Sequence, residues 1–251
     1  MNVYEQLNIL LNAPTMEELW DSHARFMEAS YGFNRLIYGH TRYRTETSLG
    51  DPEDFVLLTT HSNEYMDGFI GQGMYHHAPM VRWALDNEGA CSWSVLAEMI
   101  NTGNLGEGER KVLEFNQQHG VVAGYSISFK SVSPRSKGAI ALTARQGQSQ
   151  EETDDIWAQH GDDIMMLNNV AHLRILSLPY QSPGRSLTKR QREVLEWVGD
   201  GKTVQDIAVL MDVSPATVEK HLRLARESLS VETTAQAVLK ASFHNRMFVI
   251  D

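Results

Sequence analysis

Residues 187–229 read LTKRQREVLEWVGDGKTVQDIAVLMDVSPATVEKHLRLARESL, and local signals in this stretch predict a run of helices. Thr188 followed by Gln191 is a capping box. The hydroxyl accepts the backbone N–H three residues on, and the amide reaches back to the start, so the first helix begins at Thr188. Gly201 is placed to end that helix in a left-handed conformation, which predicts a sharp turn after it.

A second and a third helix follow at once. Thr203 opens the second, short helix with Asp206 as its capping-box partner. Ser214 is a favourable N-cap, and Pro215 suits the first helical position, where its missing N–H leaves no hydrogen bond unmade. The third helix is therefore predicted from Pro215 to about Leu229.

Two short helices joined by a tight turn form a helix-turn-helix, whose second member can lie in the major groove of DNA. The apolar stripe predicted to be buried on the long final helix is Val218, Leu222, Ala225 and Leu229. The candidates for contacts to phosphates and base edges are polar or basic: Thr203, Ser214, Thr217, Lys220, His221, Arg223 and Arg226. The alternative is that these residues only solvate the surface of a helical bundle.

Residues 187–245 resemble the LuxR-type, or LuxR/FixJ/NarL, DNA-binding domain. The matching positions are Leu187, Thr188, Arg190, Glu193, Val194, Leu195, Trp197, Gly201, Lys202, Thr203, Asp206, Ile207, Ala208, Ser214, Thr217, Val218, His221, Leu229 and Val231. Gln191 stands where the family has Glu, and Ser228 stands where it has Lys, which removes one phosphate contact. The resemblance implies an all-α four-helix domain whose last helix, about residues 234–244, joins two copies. A homodimer on an inverted repeat of double-stranded DNA is expected, with RNA polymerase as a candidate further partner.

The segment LPYQSPGR at residues 178–185 interrupts all periodicity with two prolines and a glycine, which predicts a linker. We therefore expect three parts. They are a ligand-binding and dimerisation domain at residues 1–178, a linker at 179–186 and the helix-turn-helix domain at 187–251.

The net charge of −10 is unevenly divided along the chain. Residues 185–251 hold ten Lys and Arg against nine Asp and Glu, so the acidity belongs to residues 1–184, which hold twelve against twenty-three. Screening limits the reach of distant charge to about 8 Å at physiological salt. An acidic first domain is therefore compatible with DNA binding by the second.

The first domain mixes helices and strands without a regular βαβ alternation, which predicts an α+β fold. Helices are predicted at 3–11, 16–29, 63–71, 80–85, 106–119 and 151–176, and strands at 33–40, 55–60, 91–94, 121–129 and 139–144. The last two strands form a plausible hairpin around the turn SPRSK. A phosphorylated receiver domain is disfavoured, because its paired acidic residues and later Lys are missing.

The middle of this domain is rich in aromatic residues: Tyr65, Phe69, Tyr75, Trp83, Trp93 and Tyr125. Each alone would fit an aromatic core, but together they suggest a pocket. The spacing of Tyr65, Phe69, Pro79, Trp93 and Gly124 resembles the autoinducer-binding domain of quorum-sensing LuxR-type regulators, over about residues 15–178. The resemblance implies a sandwich of helices on both faces of an antiparallel sheet. The ligand-binding candidates are Tyr65, Phe69, Ala78, Pro79, Trp93, Gly124 and Ser126.

The departures from that family concern polar contacts. In the family a Trp and a Tyr donate hydrogen bonds to the ligand carbonyls, an Asp accepts from its amide N–H, and a second Trp packs on the lactone ring. Here Tyr65 can still donate, Phe69 cannot, and Ala78 replaces the Asp. A buried amide without an acceptor costs roughly 1–3 kcal/mol. Acyl-homoserine lactones lead on family grounds, with a related non-standard signal as the alternative, and the candidates for a replacement acceptor are Tyr75, His76, His77 and Ser126.

Several classes of protein are disfavoured by what the sequence lacks. No apolar run approaches bilayer-spanning length, and residues 1–12 lack the features of a signal peptide, so we expect a cytoplasmic protein without a membrane partner. The single cysteine, Cys91, allows no internal disulfide and is expected to be a small buried residue. His76 and His77 have no third ligand at suitable spacing, so neither a metal nor a cofactor is expected.

The sequence thus predicts a transcriptional regulator controlled by a hydrophobic small-molecule signal. The main alternative is a ligand-independent regulator whose aromatic residues simply fill the core. A lactone-processing enzyme fused to a DNA-binding module is the other. It is disfavoured because the chain contains no nucleophile elbow, no Gly-rich phosphate loop and no spaced metal ligands, and we expect no catalytic residue.

Overall fold

The computed structural model describes residues 1–103, 105–180, 186–243 and 247. The chain folds as two compact units, Met1–Leu176 and Ser177–Asp251. The linker predicted at 179–186 coincides largely with residues 181–185, which lie outside the described residues, so its bounds remain a prediction.

In the described part of the chain, the first unit contains a five-stranded sheet whose neighbouring strands are all antiparallel. The strands are β1 (Phe33–Thr41), β2 (Val56–Thr59), β3 (Gly89–Ser92), β4 (Gly124–Ser128) and β5 (Lys137–Ala144). They lie side by side in the order β2-β1-β5-β4-β3. The predicted α+β fold is confirmed, and so is the hairpin, in which β4 pairs with β5 from Gly124 opposite Thr143 to Ser128 opposite Ala139.

The helices described in this unit are α1 (Val3–Asn12), α2 (Met16–Tyr31), α3 (Asn63–Met66), α4 (Pro79–Asp86), α5 (Ser94–Asn101), α6 (Glu107–Gln118) and α7 (Gln150–Ser177). The helix predicted at 63–71 is α3 continued by a π-helical turn over Asp67–Gly71. Short 3₁₀ turns lie at Pro52–Asp54 and Met74–His77. All of the predicted helices are thus present, with small shifts at their ends.

Two features around β3 differ from the sequence prediction. Helix α5 was not predicted, because its N-cap, Trp93, makes no capping hydrogen bond through its side chain and gives no capping signal in the sequence. The strand expected at 91–94 lies instead at Gly89–Ser92, and the chain turns into α5 directly after it. Cys91 is half-buried on this edge strand rather than fully buried as expected.

One face of the sheet packs against α2 and α7. Leu36 and Leu142 are fully buried there, and Tyr38 is nearly so. The Tyr38 hydroxyl lies 2.9 Å from Nδ1 of His172 on α7. His23 of α2 is joined to α7 through a 3.0 Å hydrogen bond between its Nε2 and Oδ1 of Asn168. Apolar burial with a few satisfied polar pairs therefore fixes these two helices on the sheet.

The described helices of the second unit are α8 (Lys189–Gly199), α9 (Val204–Leu210), α10 (Pro215–Ser228) and α11 (Thr234–Phe243). The three predicted starts are confirmed. Thr188 and Thr203 form capping boxes, and Ser214 caps α10 with proline in its first turn. Residue 244, the predicted end of the last helix, lies outside the described residues.

Left-handed backbone conformations make the tight turns between these helices. Gly201, with φ of 79°, follows α8 as predicted, and Asp212, with φ of 52°, separates α9 from α10. The four residues of the predicted apolar stripe are all buried: Val218, Leu222, Ala225 and Leu229. They pack against Val194, Leu195 and Ile207 in one apolar core, which confirms the helix-turn-helix. Among the described residues, every helix is too short or too polar to cross a bilayer.

Three buried histidines make stability depend on pH. Burial lowers the pKa of His23 and of His172 to about 4, and burial together with the charges of Arg35 and His119 lowers the pKa of His61 to about 4. The unfolded chain takes up protons on these imidazoles below about pH 6.5, whereas the folded chain does so only near pH 4.

We therefore expect the free energy of unfolding to be level between about pH 7 and 8 and to fall steadily from about pH 6.5 to 5, where carboxylates are still largely ionised. Urea denaturation at closely spaced pH values measures this slope. A free energy of unfolding that stays level or rises as the pH drops through this window would contradict the buried neutral state of these histidines.

Candidate functional site

Small side chains line one face of the sheet where its central strands meet. Gly39 of β1 lies opposite Ala139 of β5, and Ala141 of β5 lies opposite Ser126 of β4. A Cβ added at Gly39 would meet no heavy atom within 4 Å. Because directly opposed residues of antiparallel strands point to the same face, these positions leave space above the sheet instead of a packed core.

A cavity of about 410 Å³ occupies this space. Residues from α3 to α6 and from the turn at Met74–His77 complete its wall, which is mostly apolar. An ion pair between Arg82 and Glu109 ties α4 to α6, and Glu109 also accepts from the backbone N–H of Gly106 at 2.7 Å. The volume and the apolar wall are typical of pockets for small lipophilic molecules.

Four of the six aromatic residues singled out in the sequence line the cavity: Tyr65, Phe69, Tyr75 and Trp93. Tyr65 is stacked between rings, with centroids 4.3 Å from His61 and 5.5 Å from Phe69. Tyr125 instead stacks on Trp157 of α7 at 3.9 Å and lies outside the cavity wall, as does the half-buried Trp83. Four of the six aromatic residues therefore form part of the cavity wall, and the other two pack elsewhere in the first unit.

Two polar groups predicted to contact a ligand are already paired within the protein. The Tyr65 hydroxyl donates to Oδ1 of Asn116 at 3.0 Å, and burial raises the pKa of this hydroxyl above its ordinary value. Nε1 of Trp93 donates to Oγ of Ser126 at 2.9 Å. Tyr65 therefore does not offer its proton to the cavity as expected, although its oxygen can still accept. Ser126 keeps a hydroxyl proton to donate.

Gly124 permits the close approach of Trp93 to the sheet. A Cβ at this position would lie 2.2 Å from the backbone oxygen of Leu142 and 3.1 Å from the Trp93 ring. Gly124 therefore shapes the cavity through the position of Trp93, although its own atoms are not part of the wall.

The remaining ligand candidates divide into two groups. Ala78 and Pro79 line the cavity at the start of α4, where Pro79 occupies the first turn and the methyl group of Ala78 provides no acceptor. His76 and His77 are exposed and do not line the cavity, so neither replaces the missing Asp there. Tyr75 and Ser126 do line it.

The wall residues that the sequence did not predict include His61 and Thr143. His61 is 8 % exposed and Thr143 is 1 % exposed, and both have a side-chain polar atom without a hydrogen-bond partner among the described residues: Nε2 of His61 and Oγ1 of Thr143. Nothing local marks either one, since they lie in β-rich segments 82 positions apart. Only the alternation along β5, which puts Thr143 on the face of Ala139 and Ala141, could have suggested the second.

The basic side chains of α10 differ in their surroundings. Lys220 and Arg223 are exposed, and Arg223 pairs with Glu227 one turn on. His221 and Thr217 are half-buried. Arg226 is also half-buried and donates to Oγ1 of Thr234 at 2.9 Å, which connects α10 to α11.

Thr203 and Ser214 serve as helix caps. The Thr203 hydroxyl accepts from the backbone of Asp206, and the Ser214 hydroxyl accepts from the backbone of Thr217 and lies 2.9 Å from the Thr217 hydroxyl. Both capping residues therefore position the helices whether or not they also contact DNA.

An α+β unit with an apolar cavity and a helix-turn-helix unit define a ligand-binding regulator class. The family model described as "Autoinducer binding domain" matches residues 15–175, and the model "Bacterial regulatory proteins, luxR family" matches residues 185–241. The chain belongs to the LuxR family of bacterial regulators. It is a DNA-binding transcription regulator that responds to a small-molecule signal.

Known relatives agree with this assignment along most of the chain. The transcriptional activator LuxR of Aliivibrio fischeri strain ES114 is 20% identical over 241 residues, which are 95% of this chain and 90% of the relative. The transcriptional activator ExpR of Dickeya dadantii strain 3937 is 23% identical over 198 residues, covering 74% of this chain and 76% of the relative.

Two solved structures share the fold. The N-acylhomoserine lactone dependent LuxR family transcription factor CepR2 from Burkholderia cenocepacia is 17% identical, with a TM-score of 0.52, covering 68% of this chain and 92% of that one. SdiA in complex with octanoyl-rac-glycerol is 14% identical, with a TM-score of 0.53, covering 99% of this chain and 96% of that one.

We expect Gly124→Ala to destabilise the protein by about 2 kcal/mol or more, because a Cβ would overlap the Leu142 backbone and displace Trp93. Gly39→Ala is the matched control, since a Cβ there meets open space on the same sheet face. Urea unfolding followed by tryptophan fluorescence compares the two. Equal midpoints for both variants would show that the close approach at Gly124 is unimportant.

Proposed function

We propose that the cavity binds one lipophilic signal molecule. Occupancy of the cavity would decide whether two helix-turn-helix units bind DNA as a pair. The observation that carries this proposal is the cavity itself, about 410 Å³ with a mostly apolar wall. An acyl chain would lie against the apolar wall, and its head would meet the few polar groups. A packed protein interior leaves few voids larger than a water molecule, so a space of this size is a binding feature rather than imperfect packing.

A ligand bound only by the folded state stabilises that state in proportion to the logarithm of its concentration. Occupancy of the cavity would hold α4 and α6 against the sheet, and with them the Arg82–Glu109 ion pair. We infer that this ordering favours a homodimer in the cytoplasm that binds an inverted repeat, with RNA polymerase as a further partner. Family membership supports these assignments.

Acyl-homoserine lactones are the first class to test, because CepR2 is described as dependent on them. The wall supports a related signal at least as well, since Phe69 cannot donate a hydrogen bond and Ala78 cannot accept one. Burying an amide N–H beside Ala78 would lower affinity by about ten-fold to a hundred-fold.

Two alternatives fit the cavity less well. A ligand-independent regulator would fill this space with side chains, whereas Gly39 faces open space. A lactone-processing enzyme would need an activated nucleophile, and the Ser126 hydroxyl is engaged by an indole N–H rather than by a base. The relatives are transcriptional activators, and we propose that this chain likewise has no catalytic activity.

For the DNA interface we propose that α10 enters the major groove and that Lys220 and Arg223 contact phosphates. Both are exposed, and the ion pair of Arg223 with Glu227 is a surface pair that costs little to exchange for a phosphate. Thr217 and His221 are proposed to lie near base edges. Arg226 contributes mainly by holding α11 through Thr234.

Adding a C8 to C12 N-acyl-homoserine lactone, or an uncharged lipid of similar length, is expected to raise the melting temperature of the purified protein. Gly39→Ile should reduce or abolish that shift because its side chain occupies part of the cavity, and it should raise the melting temperature of the protein without ligand. Ala90→Ile, an exposed position on β3, is the matched control and should leave the ligand shift intact. No shift with any compound would overturn the proposal, and catalytic disappearance of the lactone would favour an enzyme.

Lys220→Ala and Arg223→Ala are each expected to weaken operator binding by an amount that shrinks as salt rises, reducing the slope of log K against log salt by about 1. Arg190→Ala, which removes an exposed arginine from a similar ion pair with Glu193 on α8, is the control. Fluorescence anisotropy at several salt concentrations measures the slopes. Equal losses at low and high salt would rule out phosphate contacts by Lys220 and Arg223.

A further inference from the structure

Two buried polar atoms in the cavity wall have no hydrogen-bond partner among the described residues: Nε2 of His61 and Oγ1 of Thr143. Neighbouring polar groups of the wall are paired inside the protein, as with the Tyr65 hydroxyl and the Trp93 indole N–H. Since buried polar atoms are nearly always hydrogen-bonded, these two atoms indicate where the polar head of a ligand is bound.

The imidazole of His61 is neutral at physiological pH. Burial lowers its pKa to about 4, and the charges of Arg35 and His119 act in the same direction. A neutral imidazole has one N–H donor and one acceptor nitrogen, and the ring is held in place by its stack on Tyr65. His61 therefore offers a fixed, uncharged polar contact.

His61 and Thr143 lie at the same end of the cavity. Thr143 is paired directly with Arg35 across β5 and β1. Leu36, which follows Arg35, donates its backbone N–H to Oγ1 of Thr60 at 2.8 Å, and Thr60 precedes His61. The Arg35 guanidinium itself is used within the protein, where it donates to the backbone oxygens of His119, Gly120 and Ala144. A ligand head at this end would therefore contact His61 and Thr143. It would also lie in the positive field of Arg35, whose guanidinium is already hydrogen-bonded within the protein.

The geometry points to an uncharged amphiphile with an alcohol hydroxyl in its head as the ligand, bound by His61 and Thr143; this specificity rests on the proposed function and deepens it. A hydroxyl both donates and accepts, so it can pair with His61 in either tautomer and with the Thr143 hydroxyl at the same time. A carbonyl oxygen could only accept from these groups.

Other head groups fit this end less well. An ammonium would be repelled by Arg35. A carboxylate would be buried in a mostly apolar cavity, where Arg35 already donates to three backbone oxygens and Lys137 of the wall donates to the backbone oxygen of Asn87. An amide N–H directed at the start of α4 would face the methyl group of Ala78. Long-chain monoacylglycerols and related hydroxylated esters or ketones have the required chemistry.

The test compares two ligands that differ only in their hydroxyl groups, 1-octanoylglycerol and propyl octanoate, by isothermal titration of the full-length protein. The wild type is expected to bind the glycerol ester at least ten-fold more tightly, as two added hydrogen bonds would produce. Equal affinity for the two esters would overturn the inference.

Two variants locate the hydroxyl contact. Thr143→Val keeps the shape of the side chain and removes its hydroxyl, and His61→Phe keeps the stack on Tyr65 and removes the nitrogens. Each should reduce the preference for the glycerol ester by about ten-fold while the affinity for propyl octanoate is retained, which also shows that the cavity is folded. An unchanged preference in Thr143→Val and in His61→Phe would contradict the assignment.

N-octanoyl-homoserine lactone separates this inference from the proposed function. If the wild type binds the lactone more tightly than 1-octanoylglycerol, the hydroxyl specificity is wrong and the ligand-controlled regulator stands. If none of the three compounds binds, both fail. Ala78→Asp should raise the affinity for the lactone alone by about ten-fold, because it supplies an acceptor for the amide. A gain for all three compounds would contradict the role given to Ala78.

Discussion

The absence of large side chains on one face of the sheet is the constraint on which the cavity and its signal response depend. Gly39, Ala139 and Ala141 leave space where larger apolar side chains would fill the core. The protein thereby forgoes dispersion contacts and apolar burial that a filled core would provide. A ligand with an apolar chain can supply these contacts. Because it would bind only the folded state, it would raise the stability of the first unit.

The helices of the second unit are positioned mainly by local caps and turns. Each of α8, α9 and α10 begins at a Ser or Thr whose hydroxyl accepts a backbone N–H three residues on. Its core is apolar, and α10 carries the exposed Lys220 and Arg223 although the whole chain is acidic. Because salt screens charge over about a Debye length, the local surface of α10 matters for DNA more than the net charge does.

Hydrogen bonds inside the first unit change which groups a ligand can use. The resemblance places a ligand donor at Tyr65 and a ring that packs on the ligand at Trp93. Here each of the two donates to another side chain, Asn116 and Ser126 respectively. Among the described residues of the cavity wall, the side chains of His61 and Thr143 instead each hold a buried polar atom without a hydrogen-bond partner. A resemblance between two binding-site sequences therefore identifies the wall of the cavity more securely than it identifies the hydrogen bonds that a ligand makes there.

By itself the sequence determined the elements whose signals are local. The capping boxes at Thr188 and Thr203, the stripe from Val218 to Leu229 and the hairpin of β4 and β5 all arise from residues within a few turns or one short loop of each other. Tertiary structure alone decided the pairing of Tyr65 with Asn116, 51 positions away, and the placing of Thr143 beside Arg35 and near His61. Such contacts join distant segments, so their existence depends on how the sheet and helices pack and not on any pattern along the chain.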